Sequence, residues 1–345
     1  MTLSFLGDDG IQHHIVIDSG YRGTYRRTLK KFAEEISKKE ECIDLFIITH
    51  TDRDHIGGAQ KLFDDFGKAG KIKKNLIKDC WFNWSHWKFP IADLSNSNDV
   101  SFKDGWELRD WLQKQEGMTL EDDITNETTL TLGGAIIDVL SPNKEKFYAF
   151  RNNWRSEERA FLGMPNDEEV AGGSKDWGIS VKDLVNKPSK EDNAVENGSS
   201  IAFLFSLRDA SILFLADAHP SVIVEALKKD YSTTNKLKVD YVKLAHHGSK
   251  YNTSTELLEL LDCDSFLITT MGGVRPHKET LAKIAHYFQG VNPGRDIHFI
   301  FNYGKDEYQG LFSDSEKKDY RIKCYFAPKE PEIKANVLDI PTRNR

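Results

Sequence analysis

Cysteine is scarce in this chain of 345 residues: there are four, Cys42, Cys80, Cys263 and Cys324, far apart and in no C-x-x-C pair. That excludes a disulfide-stapled scaffold and a structural zinc knuckle, and reduced thiols suit a cytoplasmic protein. Long apolar runs are lacking too, and no stretch approaches the roughly 18 apolar residues that span a bilayer. The N-terminal residues carry neither a basic segment nor an apolar run and do not read as a signal peptide. A basic excess is likewise missing, since 47 Lys+Arg face 54 Asp+Glu for a net charge of -7. A coat of positive charge for nucleic acid over the whole surface is therefore disfavoured. What is present, 39% hydrophobic and 29% charged residues, is the composition of a folded chain with room for one large domain or two average ones.

The apolar pattern opens as an α/β protein. Residues 14–20 read as a strand ending in a turn, and 24–38 take helical spacing through Leu29, Phe32, Ala33 and Ile36. A β-rich run over 43–49 leads into a polar loop and a helix over 57–66. Gly133-Gly134 separates two short alternating runs and predicts a hairpin. After Gly198 the signal sharpens into strands over 200–207, 211–216, 239–245, 265–270, 297–302 and 320–326, with helices over 221–229, 255–261 and 278–288. Residues 142–195 are polar and poorly periodic. They are expected to be a surface insertion or mobile lid of a single domain, 1–326, with 327–345 as a tail.

The chemistry concentrates in His50-Thr-Asp52-Arg-Asp54-His55-Ile-Gly-Gly58. Two imidazoles and two carboxylates between an apolar strand and a helix make a ligand set for Zn, Fe or Mn. Capping the helix would use one such Asp and leave the histidines unexplained. Gly57 and Gly58 are expected to let the chain turn sharply into the helix. Further polar groups follow later strands: Asp217, His246-His247-Gly-Ser249, and His277. Strand ends on one edge of an α/β sheet are where such folds build sites.

The order HxDxDH-GG, an Asp after an apolar strand, and then HHGS resembles the metallo-β-lactamase fold hydrolases. Within them it is most similar to the branch of the β-lactamase-like domain of ComEC-type competence proteins, over residues 13–302 with 142–195 unmatched. The resemblance implies an αββα sandwich, a four-layer α/β fold of two mixed sheets with helices outside and metals at one edge. Ligands near residue 50 and beyond residue 240 would then converge within one domain. It assigns His50 and Asp52 to a first metal position and Asp54 and His55 to a second. Asp217 is assigned between them, and His246 or His247 closes the second position. Asp18 resembles the carboxylate that supports the metal loop.

Asp52 stands where the family usually has a second histidine, which makes Mn or Fe credible beside Zn. No third histidine precedes Asp217 at the family's usual distance. Asn197 and Ser200 resemble the branch's Asn–Ser element there, and Glu196, His86 or water is left to complete the first position.

The implied activity is metal-dependent hydrolysis. One or two divalent ions would lower the pKa of a bound water to roughly 7 and supply hydroxide, with Asp54 and Asp217 as catalytic carboxylates. The branch favours a phosphodiester substrate, nucleic acid foremost, with Asn197, Ser200, Lys250 and His277 as contacts. Hydrolysis of a small ester, thioester or cyclic nucleotide is the alternative, and a non-catalytic metal-binding partner protein is another. Five lysines in residues 68–78 hold phosphates or form a solvated face. Trp81, Trp84 and Trp87 around His86 stack bases or line a core. His13 and His14 read as residues at the start of a strand, and His219 as the start of a helix. No membrane association is encoded, and a protein partner is not legible.

Overall fold

The computed structural model describes residues 1–66, 72–84, 100–160, 175–270 and 273–327. The chain divides into two compact units, one of Met1–Ala135, Pro142–Glu169 and Ala194–Ile201, the other of Ile136–Ser141, Val170–Asn193 and Ala202–Arg345.

The chain begins with β1 (Thr2–Leu6), β2 (Gln12–Ile17), α1 (Leu29–Lys38), β3 (Ile43–Ile48), α2 (Arg53–Asp65) and β4 (Ile77–Phe82). α3 (Val100–Leu112), β5 (Thr119–Glu121) and β6 (Thr129–Leu132) follow. In the first unit, β1 to β5 form one sheet in chain order, antiparallel at β1–β2 and parallel thereafter. All of β3 is buried, as a central parallel strand requires, and its sequence Ile-Asp-Leu-Phe-Ile-Ile is apolar but for Asp44, whose carboxylate accepts from His14 N at 2.9 Å. Val16, Phe46, Ile48, Cys80 and Phe82 share a core with Leu29, Ala33 and Ile36 of α1 and Ile56, Ala59, Leu62 and Phe63 of α2. The spacing of those helical residues is the stripe that the sequence displays. α1 begins at Leu29 rather than at 24, because a short 3₁₀ turn over Tyr25–Arg27 precedes it.

Next come β7 (Ala135–Ser141), α4 (Lys144–Ala160), α5 (Val181–Leu184), α6 (Val195–Gly198), β8 (Ala202–Leu207), β9 (Ala210–Phe214) and α7 (Pro220–Leu227). β10 (Leu237–Lys238), β11 (Tyr241–Lys243), α8 (Thr255–Glu259), β12 (Leu261–Asp262) and β13 (Ser265–Ile268) lead to α9 (Lys278–Val291), β14 (Ile297–Phe301), α10 (Asp314–Asp319) and β15 (Ile322–Phe326). The second unit's sheet runs β15-β14-β13-β11-β9-β8-β7. It is parallel from β15 to β9 and antiparallel across β9-β8-β7. Its core joins Leu213, Val242, Phe266 and Phe299 of the strands to Leu281, Ile284, Ala285 and Phe288 of α9.

Each unit is thus a mixed sheet carrying helices, the α/β class expected from the sequence. The strands on either side of Gly133-Gly134 form, and both glycines take positive φ, 54° and 84°. Residues 142–195 supply core side chains: Phe150 to the first unit, and Trp177, Val181 and Leu184 to the second. Among the described residues no helix is long and apolar enough to cross a membrane.

Candidate metal centre

In the first unit, His50, Thr51 and Asp52 form the loop between β3 and α2, while Asp54 and His55 stand on the first turn of the helix. Asp52 occupies the N-cap, yet its side chain makes no capping hydrogen bond, so capping does not account for this carboxylate. His50 and His55 are buried, with ring centroids 4.0 Å apart. His50 Nε2 lies 3.6 Å from Asp52 Oδ2, and His55 Nε2 lies 3.7 Å from Asp54 Oδ2.

The other ring nitrogens are anchored elsewhere. His55 Nδ1 is 2.7 Å from Asp18 Oδ2. The Thr49 hydroxyl sits 3.0 Å from both Asp18 Oδ1 and His50 Nδ1. It has one hydrogen, which goes to the carboxylate, so it accepts from the imidazole. The network therefore assigns both histidines as Nδ1–H tautomers whose Nε2 lone pairs face carboxylates, the state that metal ligation uses. Burial opposes ionisation of Asp18, but His55 and His50 outweigh it and hold the carboxyl below its ordinary pKa. Asp18 adopts φ 54°, a left-handed conformation kept in place by Thr49 N, which donates to Oδ1 at 2.8 Å.

Gly57 and Gly58 lie inside α2, not in a turn. A Cβ on Gly58 would stand 2.3 Å from Ser19 O, and one on Gly57 would stand 2.7 Å from Arg22 N. Close approach of the Ser19–Arg22 backbone, rather than the sharp turn expected from sequence, is what requires glycine there. Asn197 and Ser200 are buried in this same unit, and Ile201 N donates to Thr49 O at 3.0 Å, which ties their segment to the residue before His50.

In the second unit, Asp217 is buried after β9, and His246 and His247 follow β11. Ala216, His246, His247 and Gly248 all take positive φ, of 44°, 46°, 57° and 85°. Such geometry is costly for residues with a Cβ and persists only when it is over-determined. Here His246 N donates to Ala216 O at 2.9 Å, Ser249 N to His246 O at 3.0 Å, and His277 N to Gly248 O at 3.1 Å. Lys243, itself buried, adds its Nζ to Ala216 O at 3.3 Å.

His246 Nδ1 lies 3.3 Å from Asp192 Oδ2 and 3.2 Å from Asn252 Oδ1, and its Nε2 lies 3.5 Å from Asp217 Oδ2. Burial depresses the His246 pKa, but Asp217 and Asp192 outweigh it, so the net shift is upward. Asn252 is fully buried and also donates to Asp192 Oδ2 at 2.9 Å and Asp217 O at 3.2 Å. His247 Nδ1 donates to Thr269 O at 2.7 Å. Both histidines thus have Nδ1 engaged, His246 with Asp192 and Asn252 and His247 with Thr269 O.

The same device recurs in both units: an anchored Nδ1, with Nε2 of His50, His55 and His246 turned toward a carboxylate. In each unit these imidazole and carboxylate donors are of the kind that hold a divalent cation such as Zn, Mn or Fe.

The remaining candidates separate. His277 is buried at the N-cap of α9, and its Nδ1 accepts from Lys250 N at 3.3 Å, which places the proton of the neutral ring on Nε2. Burial, reinforced by Lys250 and Arg275 against Asp176 and Glu279, pushes its pKa down to about 4. Asp176 caps α9 through Lys278 N and Glu279 N, at 2.8 and 2.9 Å. Trp81 and Trp84 are core residues, while His86 and Trp87 lie outside the described residues. Lys78 pairs with Asp44 at 2.7 Å and Lys73 Nζ donates to Glu40 O at 3.1 Å; Lys68 and Lys71 lie outside the described residues. His219 precedes Pro220 at the start of α7, as expected. His13 and His14 lie in β2, with Asp9 and Glu41 as carboxylate partners at 3.0 and 2.8 Å. Thr49, Asp192, Lys243 and Asn252 carry no motif, and only the hydrogen bonds reveal them.

Residues 3–118 match the model of the metallo-beta-lactamase superfamily. ComE operon protein 3 of Bacillus subtilis (strain 168) is 25% identical over 140 residues, which is 36% of this chain and 18% of that protein. A solved structure of the CmlA beta-hydroxylase E377D mutant is 13% identical with a TM-score of 0.39, covering 86% of this chain and 52% of that one. The chain therefore spans less than a fifth of the curated relative and about half of the solved one. The HxDxDH sequence falls inside the matched span, and residues 3–118 bear out the resemblance to the metallo-β-lactamase superfamily.

Proposed function

We propose that this chain is a metal-dependent hydrolase of phosphodiester bonds, a nuclease or phosphodiesterase. The observation that carries the reading is the carboxylate relay on the histidines. Asp18 fixes His55 directly and His50 through Thr49, and Asp192 with Asn252 fixes His246. Such orientation is the usual support of imidazole ligands and has no purpose for surface histidines.

The proposed holders of one or two divalent ions, Zn or Mn with Fe as a further occupant, are His50, Asp52, Asp54, His55, Asp217 and His246 or His247. When bound, a divalent cation supplies an acidified water and an electrostatic partner for charge developing on a phosphoryl oxygen. Asp54 is assigned to orient the attacking water, and Asp217 to balance positive charge. Asn197, Ser200, Lys250 and His277 are assigned to substrate. His277 suits that role as a neutral ring with its proton on Nε2, able to donate to an anionic oxygen without a charge of its own.

The test is turnover of bis(p-nitrophenyl) phosphate and of oligonucleotides by purified chain supplied with Mn or Zn, beside Asp54→Ala. Metal-dependent turnover that Asp54→Ala abolishes is the expected result. No cleavage of any phosphodiester with either metal overturns the proposal, and preferential cleavage of p-nitrophenyl acetate moves the substrate to small esters.

A further inference from the structure

The segment following Asp18 carries charge that the proposed metal centre does not use. From Ser19 to Ala33 the chain holds Arg22, Arg26, Arg27, Lys30 and Lys31, and no acidic residue. Its backbone is well fixed. Thr24 N and Thr24 Oγ1 donate to Tyr21 O at 2.9 and 2.8 Å, Arg27 N to Thr24 O at 3.0 Å, and Thr28 Oγ1 to Thr24 O at 3.1 Å. Tyr25 turns inward, and its hydroxyl donates to Asp65 of α2 at 3.0 Å; Leu29 joins the core. With those two residues inside, Tyr21, Arg22, Arg26 and Arg27 remain exposed, Tyr21 by 58%. Lys30 is engaged by Asp65 at 2.6 Å. Among the described residues no ion pair engages Arg22, Arg26 or Arg27.

This segment is also bonded to the helix that carries Asp54 and His55. Ser19 N and Ser19 Oγ donate to His55 O at 2.8 and 2.6 Å, and Gly58 N donates to Gly20 O at 2.8 Å. A Cβ on Gly57 would clash with Arg22 N, so the Arg22 backbone runs against α2 two residues beyond His55. The exposed guanidinium groups are therefore anchored next to the donors of the first unit, on a frame built in part by the same hydrogen bonds.

We propose that this segment is a strand-binding lip: Arg22, Arg26 and Arg27 neutralise phosphates of a single-stranded nucleic acid, and Tyr21 stacks on a base. The proposal rests on the phosphodiesterase reading and commits it to a polymer. Guanidinium forks match phosphate oxygens two at a time. Three such groups along one segment are engaged together only by a ligand with repeated phosphates, whereas a cyclic nucleotide or small ester engages at most one. An exposed aromatic ring beside cations is how single strands are held without sequence preference. In a chain of net charge -7, this acid-free segment is where a polyanion finds attraction.

The experiment reads binding apart from turnover, as anisotropy of a labelled, nuclease-resistant phosphorothioate oligothymidylate on metal-loaded protein across a salt series. Arg22→Ala/Arg26→Ala/Arg27→Ala is expected to weaken binding at low salt by about tenfold or more and to reduce the slope of log K against log salt by about 2. Tyr21→Ala is expected to weaken binding about fivefold or more with the slope unchanged. Lys39→Ala, an exposed cation already paired with Glu35 on α1, changes neither. The triple variant keeps its turnover of bis(p-nitrophenyl) phosphate, which is too small to reach three arginines. Wild-type affinity and slope in the triple variant overturn the lip, as does a wild-type chain that fails to bind the oligonucleotide. Loss of small-substrate turnover in the triple variant overturns it too, by placing the arginines in the reaction itself. Oligonucleotide binding by a chain that cleaves no phosphodiester leaves the lip standing while the hydrolase reading fails.

Discussion

Asp18 Oδ2 stands 2.7 Å from His55 Nδ1, and through the Thr49 hydroxyl the same carboxylate reaches His50. One side chain, 37 residues before His55, thus fixes the tautomer of both buried histidines. Replacing it by Asn keeps the shape and removes the charge. Asp18→Asn is expected to lower metal affinity by about 10- to 100-fold, measured as metal retained per chain after equilibration with a graded chelator. Far-UV circular dichroism should not change. Wild-type metal retention in this variant would falsify the relay.

Gly58 offers a test with an unusual sign. Gly→Ala inside a helix ordinarily stabilises by about 1 kcal/mol. Here the new methyl would meet Ser19 O at 2.3 Å, so Gly58→Ala is expected to destabilise, by about 2 kcal/mol or more, with the backbone at Ser19 displaced. Gly10→Ala is the comparison, since its φ of 77° carries strain with nothing within 4 Å of the added carbon. Its cost should stay near 1 kcal/mol. Denaturant midpoints separate the two, and a Gly58→Ala variant more stable than wild type would refute the close approach.

Asn252 joins four groups: Asp192, His246 and the carbonyls of Asp217 and Ala218. Asn252→Ala leaves buried acceptors without a donor, at a cost of about 2 to 3 kcal/mol. Asn252→Leu, similar in bulk but apolar, should fare no better. A Leu variant with wild-type stability would show that volume, not hydrogen bonding, is what the position supplies.

His277 sets a pH dependence. Its folded pKa of about 4 lies below the ordinary 6.5 because burial penalises the charged ring and Lys250 and Arg275 add to that penalty. Below pH 6.5 the unfolded chain binds a proton that the folded chain refuses, so stability falls as pH drops from 6.5 to about 4 and is unaffected above 6.5. His277→Asn, which puts a favoured but non-titrating residue at the N-cap, should flatten this slope by roughly 1 to 2 kcal/mol across the window once solvent screening is allowed for. Unfolding free energies at several pH values check this, and parallel curves for variant and wild type would count against it.

The parts of the fold legible in sequence are those whose signal is local. The run Ile43–Ile48, apolar at every position but Asp44, reads as a buried strand, and the Leu29, Ala33, Ile36 stripe as a helix face, so β3 and α1 are found where expected. The start of α1 was less legible, because Tyr25 belongs to the helical pattern yet is held in a 3₁₀ turn by a contact to Asp65 on another helix. Trp177 shows the limit more plainly. It lies in a polar stretch without periodicity, and its burial, with Nε1 donating to Pro276 O at 3.0 Å, depends on a partner 99 residues away.

The sequence by itself determined the donor types and their order. His50, Asp52, Asp54 and His55 sit within one strand-to-helix connection because consecutive residues in such a connection have no choice but to share a neighbourhood, and Asp217 and His246 follow strand ends for the same reason. Only the tertiary structure decided which nitrogen of each ring is anchored, since that depends on Asp18, Thr49, Asp192 and Asn252, whose distance in sequence hides them. It also decided why Gly57 and Gly58 are glycine. A residue's own neighbours report its backbone freedom, but only the packed chain reports that the Ser19–Arg22 backbone lies where a Cβ would be.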